Sequence, residues 1–285
     1  MSDLLLATEG GQVVAFNSAT DEHHCVFKSS DDEAMMGIEQ VGRDLYVASL
    51  SRIYRLNLDD FSKITQTQLY EPTPDFHQMQ WYEDRLYMTS TKINEIWIFD
   101  KDLNLLETHL VTPPNPKRRA KYKKNYNHLN NIIKHEGRFY IDLNWLTTTQ
   151  YANSGVLVTD KNLNEIERFE FGWETHDFQF IDGKRVAICA TSGKGKRVKH
   201  VLRSGLMVEG ELVFEHDSEE SFCKGLCYDD EFIYLCGGRK MERKHRKNSN
   251  SIIYILDRRD YSLVRMFESK EIKAIKGAIL RKPIS

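Results

Sequence analysis

The sequence predicts an all-β chain, six four-stranded blades closed into a β-propeller, and three observations carry that prediction. A hairpin pattern, two alternating apolar runs about a turn rich in Asp, Asn or Gly, recurs six times. A further strand-like motif precedes most copies and extends the unit to roughly 40 to 50 residues, the period of a propeller blade. No stretch of useful length carries a helical period.

The hairpins are QVVAFNSATDEHHCVF (12–27), RIYRLNLDDFSKITQ (52–66), EIWIFDKDLNLLETH (95–109), GVLVTDKNLNEIERF (155–169), GLMVEGELVF (205–214) and IIYILDRRDYSLVRMF (252–267). Their turn residues are those that hold tight connections between antiparallel strands. The motif ahead of them reads DLYVAS, RLYMTS, RFYIDL, RVAICAT and FIYLCG. The first strand of each unit is MGIEQV (36–41), HQMQW (77–81), HLNNI (128–132), HDFQF (176–180), KGLCY (224–228) and KGAIL (276–280). The last of these has no strands after it, whereas LLLATE at residues 4–9 reads as a second strand. Residues 272–282 are therefore expected to supply the innermost strand of the sheet begun by residues 3–28. Closing the ring this way removes free sheet edges. Residues 1–285 are read as one propeller domain, which fits a β-rich chain of 285 residues.

Composition excludes several classes. No run approaches the ~18 apolar residues of a membrane span, and MSDLLLATEGG lacks the basic flank and apolar core of a signal peptide, so a cytoplasmic location is expected. Cys25, Cys189, Cys223, Cys227 and Cys236 are odd in number and mostly lie in apolar runs, which suits reduced, buried thiols. Cys223 and Cys227 are spaced too widely for a CxxC zinc knuckle.

In a propeller the first strand of each blade is innermost, and its first residues ring the channel at the face that carries the blade connections. The predicted ring is Met36, His77, His128, His176, Lys224 and Lys276. Glu39, Gln80, Asn131 and Gln179 take the fourth position of the aligned strands, with Asn130 and Asp177 beside the histidines; they are read as a polar floor that orients a ligand. Basic charge concentrates in KRRAKYKK (117–124), KGKRVKHVLR (194–203) and RKMERKHRK (239–247), which hold 17 of the 40 Lys and Arg and leave the rest of the chain near −18. Blade connections and second-to-third-strand loops emerge on one face, so these segments should surround the histidine ring and concentrate anions there. The segment LTTTQYANS (146–154) adds hydroxyl and amide donors on that face.

Three functions remain open. An enzyme (hydrolase, lyase or transferase) would bind an anionic small molecule or saccharide through Lys224, Lys276, Asn130, Asn131, Asp177, Gln80 and Glu39. His77, His128 or His176 would serve as acid, base or nucleophile, because imidazole titrates near neutrality. A divalent metal ion on His77, His128 and His176 is a second expectation, opposed by the lysines in the same ring. The third is a non-catalytic module that binds RNA or protein through the basic face.

The blade pattern resembles the six-bladed group that includes NHL-repeat proteins and gluconolactonase-like hydrolases. HLN at 128–130 and HDF at 176–178 are similar to the strand-entry histidines of arylsulfate sulfotransferase propellers. The NHL likeness implies RNA binding through a positive face. The gluconolactonase likeness implies a divalent ion held by carboxylate and amide groups, here Glu39, Asn131 and Asp177.

Overall fold

In a computed structural model of the chain, residues 2–31, 33–111, 126–146, 153–190 and 203–283 are described, the side chains of Arg243, Lys244 and Arg246 excepted. Six antiparallel sheets of four strands form the ring. Blade 1 contains β1 (Asp3–Thr8), β2 (Gln12–Asn17) and β3 (His23–Lys28), and blade 2 contains β4 (Met35–Val41), β5 (Asp44–Ser49), β6 (Ile53–Asn57) and β7 (Lys63–Gln66). Blade 3 is β8 (Phe76–Tyr82), β9 (Arg85–Ser90), β10 (Glu95–Phe99) and β11 (Leu105–Leu110). Blade 4 is β12 (Leu129–His135), β13 (Arg138–Leu143), β14 (Gly155–Thr159) and β15 (Glu165–Glu170). Blade 5 is β16 (Thr175–Ile181), β17 (Lys184–Cys189), β18 (Ser204–Val208) and β19 (Glu211–His216). Blade 6 is β20 (Ser221–Tyr228), β21 (Phe232–Arg239), β22 (Asn250–Asp257) and β23 (Leu263–Lys273).

The last strand, β24 (Ile275–Leu280), is the innermost strand of blade 1 and pairs with β1, from Leu4 opposite Leu280 to Thr8 opposite Ile275. The closure is as the sequence predicts, with a shorter strand. Residues 272 and 273 instead finish β23, where Lys273 pairs with Asn250. Each inner strand packs against the next, from β24 through β4, β8, β12, β16 and β20 back to β24.

Apolar faces pack between neighbouring blades. Leu4, Leu6 and Val14 of blade 1 meet Tyr234, Ile253 and Ile255 of blade 6, and Ile188 and Leu206 of blade 5 meet Leu235 and Ile252 of blade 6. The polar turn residues act as expected. Asp100 accepts hydrogen bonds from the backbone of Asp102 (2.9 Å) and Asn104 (2.8 Å), and Asp160 does the same for Asn162 (2.9 Å) and Asn164 (2.8 Å). Cys189, Cys223, Cys227 and Cys236 are buried free thiols, while Cys25 is exposed. Among the described residues no helix is long and apolar enough to cross a membrane.

Two glycines bring the inner strands close together. A Cβ on Gly37 would lie 2.2 Å from the carbonyl oxygen of His77, and one on Gly277 would lie 2.4 Å from that of Met36. Only a residue without a side chain fits at either place.

Candidate functional site

The inner strands all break register at one end: the breaks take in the predicted ring positions Met36, His77, Lys224 and Lys276, whereas in blades 4 and 5 they take in Asn130 and Asp177, just past the predicted His128 and His176. The shifts fall between Met35 and Gly37, Phe76 and Met79, Leu129 and Ile132, His176 and Gln179, Cys223 and Gly225, and, in β24, opposite Ala7 and Thr8, where Gly277 gives way to Ile275. Each break inserts one extra residue on the inner strand, a β-bulge, which bends the strand and re-aims its side chains. Asp177, inside the break of blade 5, has a positive φ of 52°, and His128, just before β12, one of 54°.

The histidines converge. The His77 and His128 rings lie edge to face at 5.6 Å, and His128 packs against Trp145 at 5.2 Å. His77 Nδ1 lies 2.9 Å from Thr91 Oγ1 and 3.2 Å from the Asp75 carbonyl. Thr91 donates its only proton to the Leu129 carbonyl at 2.5 Å, so both partners of Nδ1 are acceptors. This assigns the proton to Nδ1 and leaves Nε2 with a lone pair. Burial, reinforced by the charges of Lys224 and Lys276, pushes His77 down to about 3. The same causes, burial first and Lys224 next, hold His176 well below the ordinary imidazole range. Both rings are neutral at physiological pH.

The open space at this end lies to one side of the axis, a cavity of about 200 Å³ shared by blades 4, 5 and 6. Blade 4 contributes His128 and Asn144, blade 5 contributes Glu174 and His176, and Lys224 and Lys240 come from blade 6. Ser218, Ser221 and Phe222 complete one wall. Lys240 donates to the Ser218 carbonyl at 2.9 Å, and Ser221 Oγ sits 2.9 Å from His216 Nδ1 and 3.0 Å from Tyr254 Oη. Lys276 is turned away into a buried ion pair with Glu9, its ammonium 5.3 Å from the Phe222 ring centre.

The predicted polar floor is a different place. Glu39, Gln80, Asn131 and Asp177 line a second cavity, of about 170 Å³, and none of them lines the mouth cavity. They are held by neighbouring inner strands: Asn131 donates to the Phe178 carbonyl (2.9 Å), and Asp177 accepts from the backbone of Leu226 (2.9 Å). Gln80 approaches Glu39 at 3.4 Å. Burial pushes both carboxyls up to about 7, against a lowering influence of Lys282 on Glu39 and of the Leu226 amide on Asp177. Asn130, expected as a ligand contact, gives its amide to the Thr175 carbonyl and ties blade 4 to blade 5. Desolvation explains these roles, since an amide buried inside a strand ring takes the nearest carbonyl.

The three imidazoles do not assemble as metal ligands. Among the described residues no three His, Cys, Asp or Glu side chains are placed to hold an ion, and His77 Nδ1 is already committed to Thr91 and Asp75. Of the segments expected on this face, the basic 117–124 and 194–202 and most of the hydroxyl-rich 146–154 lie outside the described residues. The segment 239–247 is described and brings Lys240 to the cavity; part of its charge is matched by acids, as Arg239 pairs with Glu220 (2.8 Å) and Glu268 (2.7 Å). Residue-by-residue reading missed Asn144, Glu174 and Ser218. Asn144 was within reach, since it follows the second strand of blade 4 as directly as His128 precedes the first.

No protein-family model and no curated protein matches the chain. Solved structures do. A Bacteroides caccae protein of unknown function is 12% identical, with a TM-score of 0.68 over 99% of both chains. A chain from a nidogen/laminin complex is 10% identical at 0.65 over 98% of both. The β-propeller domain of Myceliophteria thermophila Cps50 (Swd1) is 11% identical at 0.57, over 94% of this chain and 84% of that one. The likeness is one of fold. It supports the six-bladed propeller, and no family match stands behind the NHL-repeat or gluconolactonase-like placement.

Proposed function

We propose that the mouth cavity binds an anionic small molecule or saccharide. The observation that carries this reading is the lining itself: two lysines, two histidines and an asparagine from three blades line one cavity in which, among the described residues, Glu174 is the single carboxylate. Lys224 and Lys240 supply charge-assisted hydrogen bonds, and the imidazoles, together with Asn144, supply directional ones. An anion beside His176 stabilises its protonated form, so binding draws a proton onto a ring that is neutral in the free protein. A proton delivered in that way is what a general acid in a hydrolase, lyase or transferase needs, and His128 and His176 are the candidates for that role. His77 acts from behind, through its contact with His128.

Calorimetry with inorganic phosphate, glucuronate and a sulfated monosaccharide tests the reading. At least one should bind with proton uptake, and Lys224→Met and Lys240→Met should each weaken it about tenfold or more, the loss of one charge-assisted hydrogen bond. Binding untouched by both substitutions would overturn it. The alternative, a non-catalytic module for RNA or protein, draws on the basic segment 239–247 beside the cavity. It gains if an RNA oligomer binds and none of the small anions competes.

A further inference from the structure

The channel beyond the histidines contains a second, chemically opposite space. The 170 Å³ cavity and a neighbouring one of about 320 Å³ share Glu39, Gln179, Leu226, Ala278 and Ile279 in their walls, so they form one passage. Its glutamine side chains donate to neighbouring carbonyls and carboxylates, and acceptor capacity is left over. Asn131 is buried, gives its NH₂ group to Phe178, and keeps an amide oxygen with no hydrogen-bond partner. Asp177 receives the Leu226 amide at Oδ2 and the side-chain amide of Gln78, and Glu39 receives the Trp81 backbone amide and a long contact of 3.4 Å from Gln80. A buried amide oxygen without a partner, beside two carboxylates that can each accept more than the two hydrogen bonds they have, calls for a ligand that brings hydrogen.

The outer part of the passage has an apolar stretch of wall, Leu226, Ile279 and Leu280, beside Gln40, Tyr228 and Lys282. We propose that this passage is a binding site for a primary aliphatic amine, its ammonium among Glu39, Asp177 and the Asn131 amide oxygen and its hydrocarbon chain against Leu226, Ile279 and Leu280. An ammonium has three donors and no acceptor, the complement of that lining. The apolar wall argues for an organic cation over an inorganic one, since burying methylene groups contributes binding free energy that a bare ion cannot gain. Charges around the site set the valence. Lys282 acts on Glu39, Lys224 acts on Asp177, and Asp142 lies close enough to Asp177 for their charges to interact, so a second cationic group on the ligand would meet repulsion from Lys282 at the outer opening. Glu39 and Asp177, both lifted to about 7 by burial, ionise fully when the ammonium arrives and release protons.

The test is calorimetry of the full chain at pH 8 with n-hexylamine, in two buffers of different ionisation enthalpy. Hexylamine should bind with proton release, at least tenfold tighter than hexanol, and more weakly at pH 5.5. Glu39→Gln and Asp177→Asn should each cost tenfold or more; asparagine is chosen at 177 because it tolerates the positive φ there. Should Asp177→Asn fail to fold, Glu39→Gln and the hexanol comparison still decide. Equal affinity for hexanol, amine binding that survives Glu39→Gln, or calcium binding that displaces hexylamine would each overturn the proposal. Failure of anion binding at the mouth leaves it untouched, since probe and residues differ.

Discussion

Ring closure by β24 can be tested by removing the strand and then by restoring it in a different chain order. Deleting residues from 274 onward takes away five paired positions along β1 and the buried side chains of Ile275 and Ala278. It also uncovers Leu4 and Leu6, which are fully buried between blades 1 and 6. Ladder hydrogen bonds contribute about 1 kcal/mol each and a fully buried Leu or Ile about 1.5–3 kcal/mol. Their loss together is on the order of 10 kcal/mol, comparable to the ~5–15 kcal/mol that holds a whole domain folded. The truncated chain should lose cooperative unfolding by calorimetry and self-associate through its exposed edges. A permutant that moves residues 274–283 in front of Ser2 through a short loop keeps every strand pair, since β24 already runs antiparallel beside β1. It should unfold cooperatively near the wild-type temperature. A truncation that melts like the full chain, or a permutant as damaged as the truncation, would refute the closure as the source of that stability.

The remaining expectations concern buried charge. Glu9→Gln leaves the Lys276 ammonium in a site where its side chain is 5% exposed, and should cost about 3–5 kcal/mol in urea denaturation, whereas adding Lys276→Met should recover most of the loss. Linkage fixes the pH behaviour. Asp177 binds its proton more tightly folded than unfolded, so its contribution is full below the ordinary aspartate range and is lost as pH rises toward about 7. The stability of Asp177→Asn relative to wild type should therefore rise between pH 4 and 7, by up to about 1.4 kcal/mol per pH unit. His77 has the opposite sign: held down to about 3, it contributes stability above the ordinary histidine range that is lost as pH falls. Relative to wild type, His77→Gln should gain as pH drops from 6.5 to 4, and a difference curve of the wrong slope would reject the assignment.

The fold was legible because blade periodicity is written locally. Each hairpin carries its own turn residues, and Asp100 and Asp160 act within four residues of themselves. The ring was legible in part: Met36, His77, Lys224 and Lys276 fall at the register breaks, while in blades 4 and 5 Asn130 and Asp177 take those places and His128 and His176 precede them. The division of the interior was not. Strict alternation puts His77 and Gln80, or His176 and Gln179, on opposite faces of a strand, and the extra residue between them changes that parity. A bulge leaves no sequence mark as clear as a turn, and although it returns such pairs to one face, three residues of strand, roughly 10 Å, carry Gln80 and Gln179 beyond the mouth into a cavity of their own. Charge compensation was equally hidden: Glu9 reaches Lys276 across 267 positions of sequence, a pairing no local pattern announces.

The mouth cavity belongs to an arc of blades 4 to 6, while the glycine approaches at Gly37 and Gly277 and the Lys276–Glu9 pair lie on the arc of blades 1 to 3. One side of the ring thus acts as a clasp, where the two ends of the chain meet and the inner strands touch backbone to backbone, and the other side as a workbench. On the proposed reading of the mouth cavity, substitutions that alter what the workbench holds need not disturb the clasp. A lineage could exchange the ligand chemistry of Asn144, Glu174 or Lys240 while the fastening that keeps the ring shut stayed as it is, and such a division gives a propeller room to change its occupant without first changing its shape.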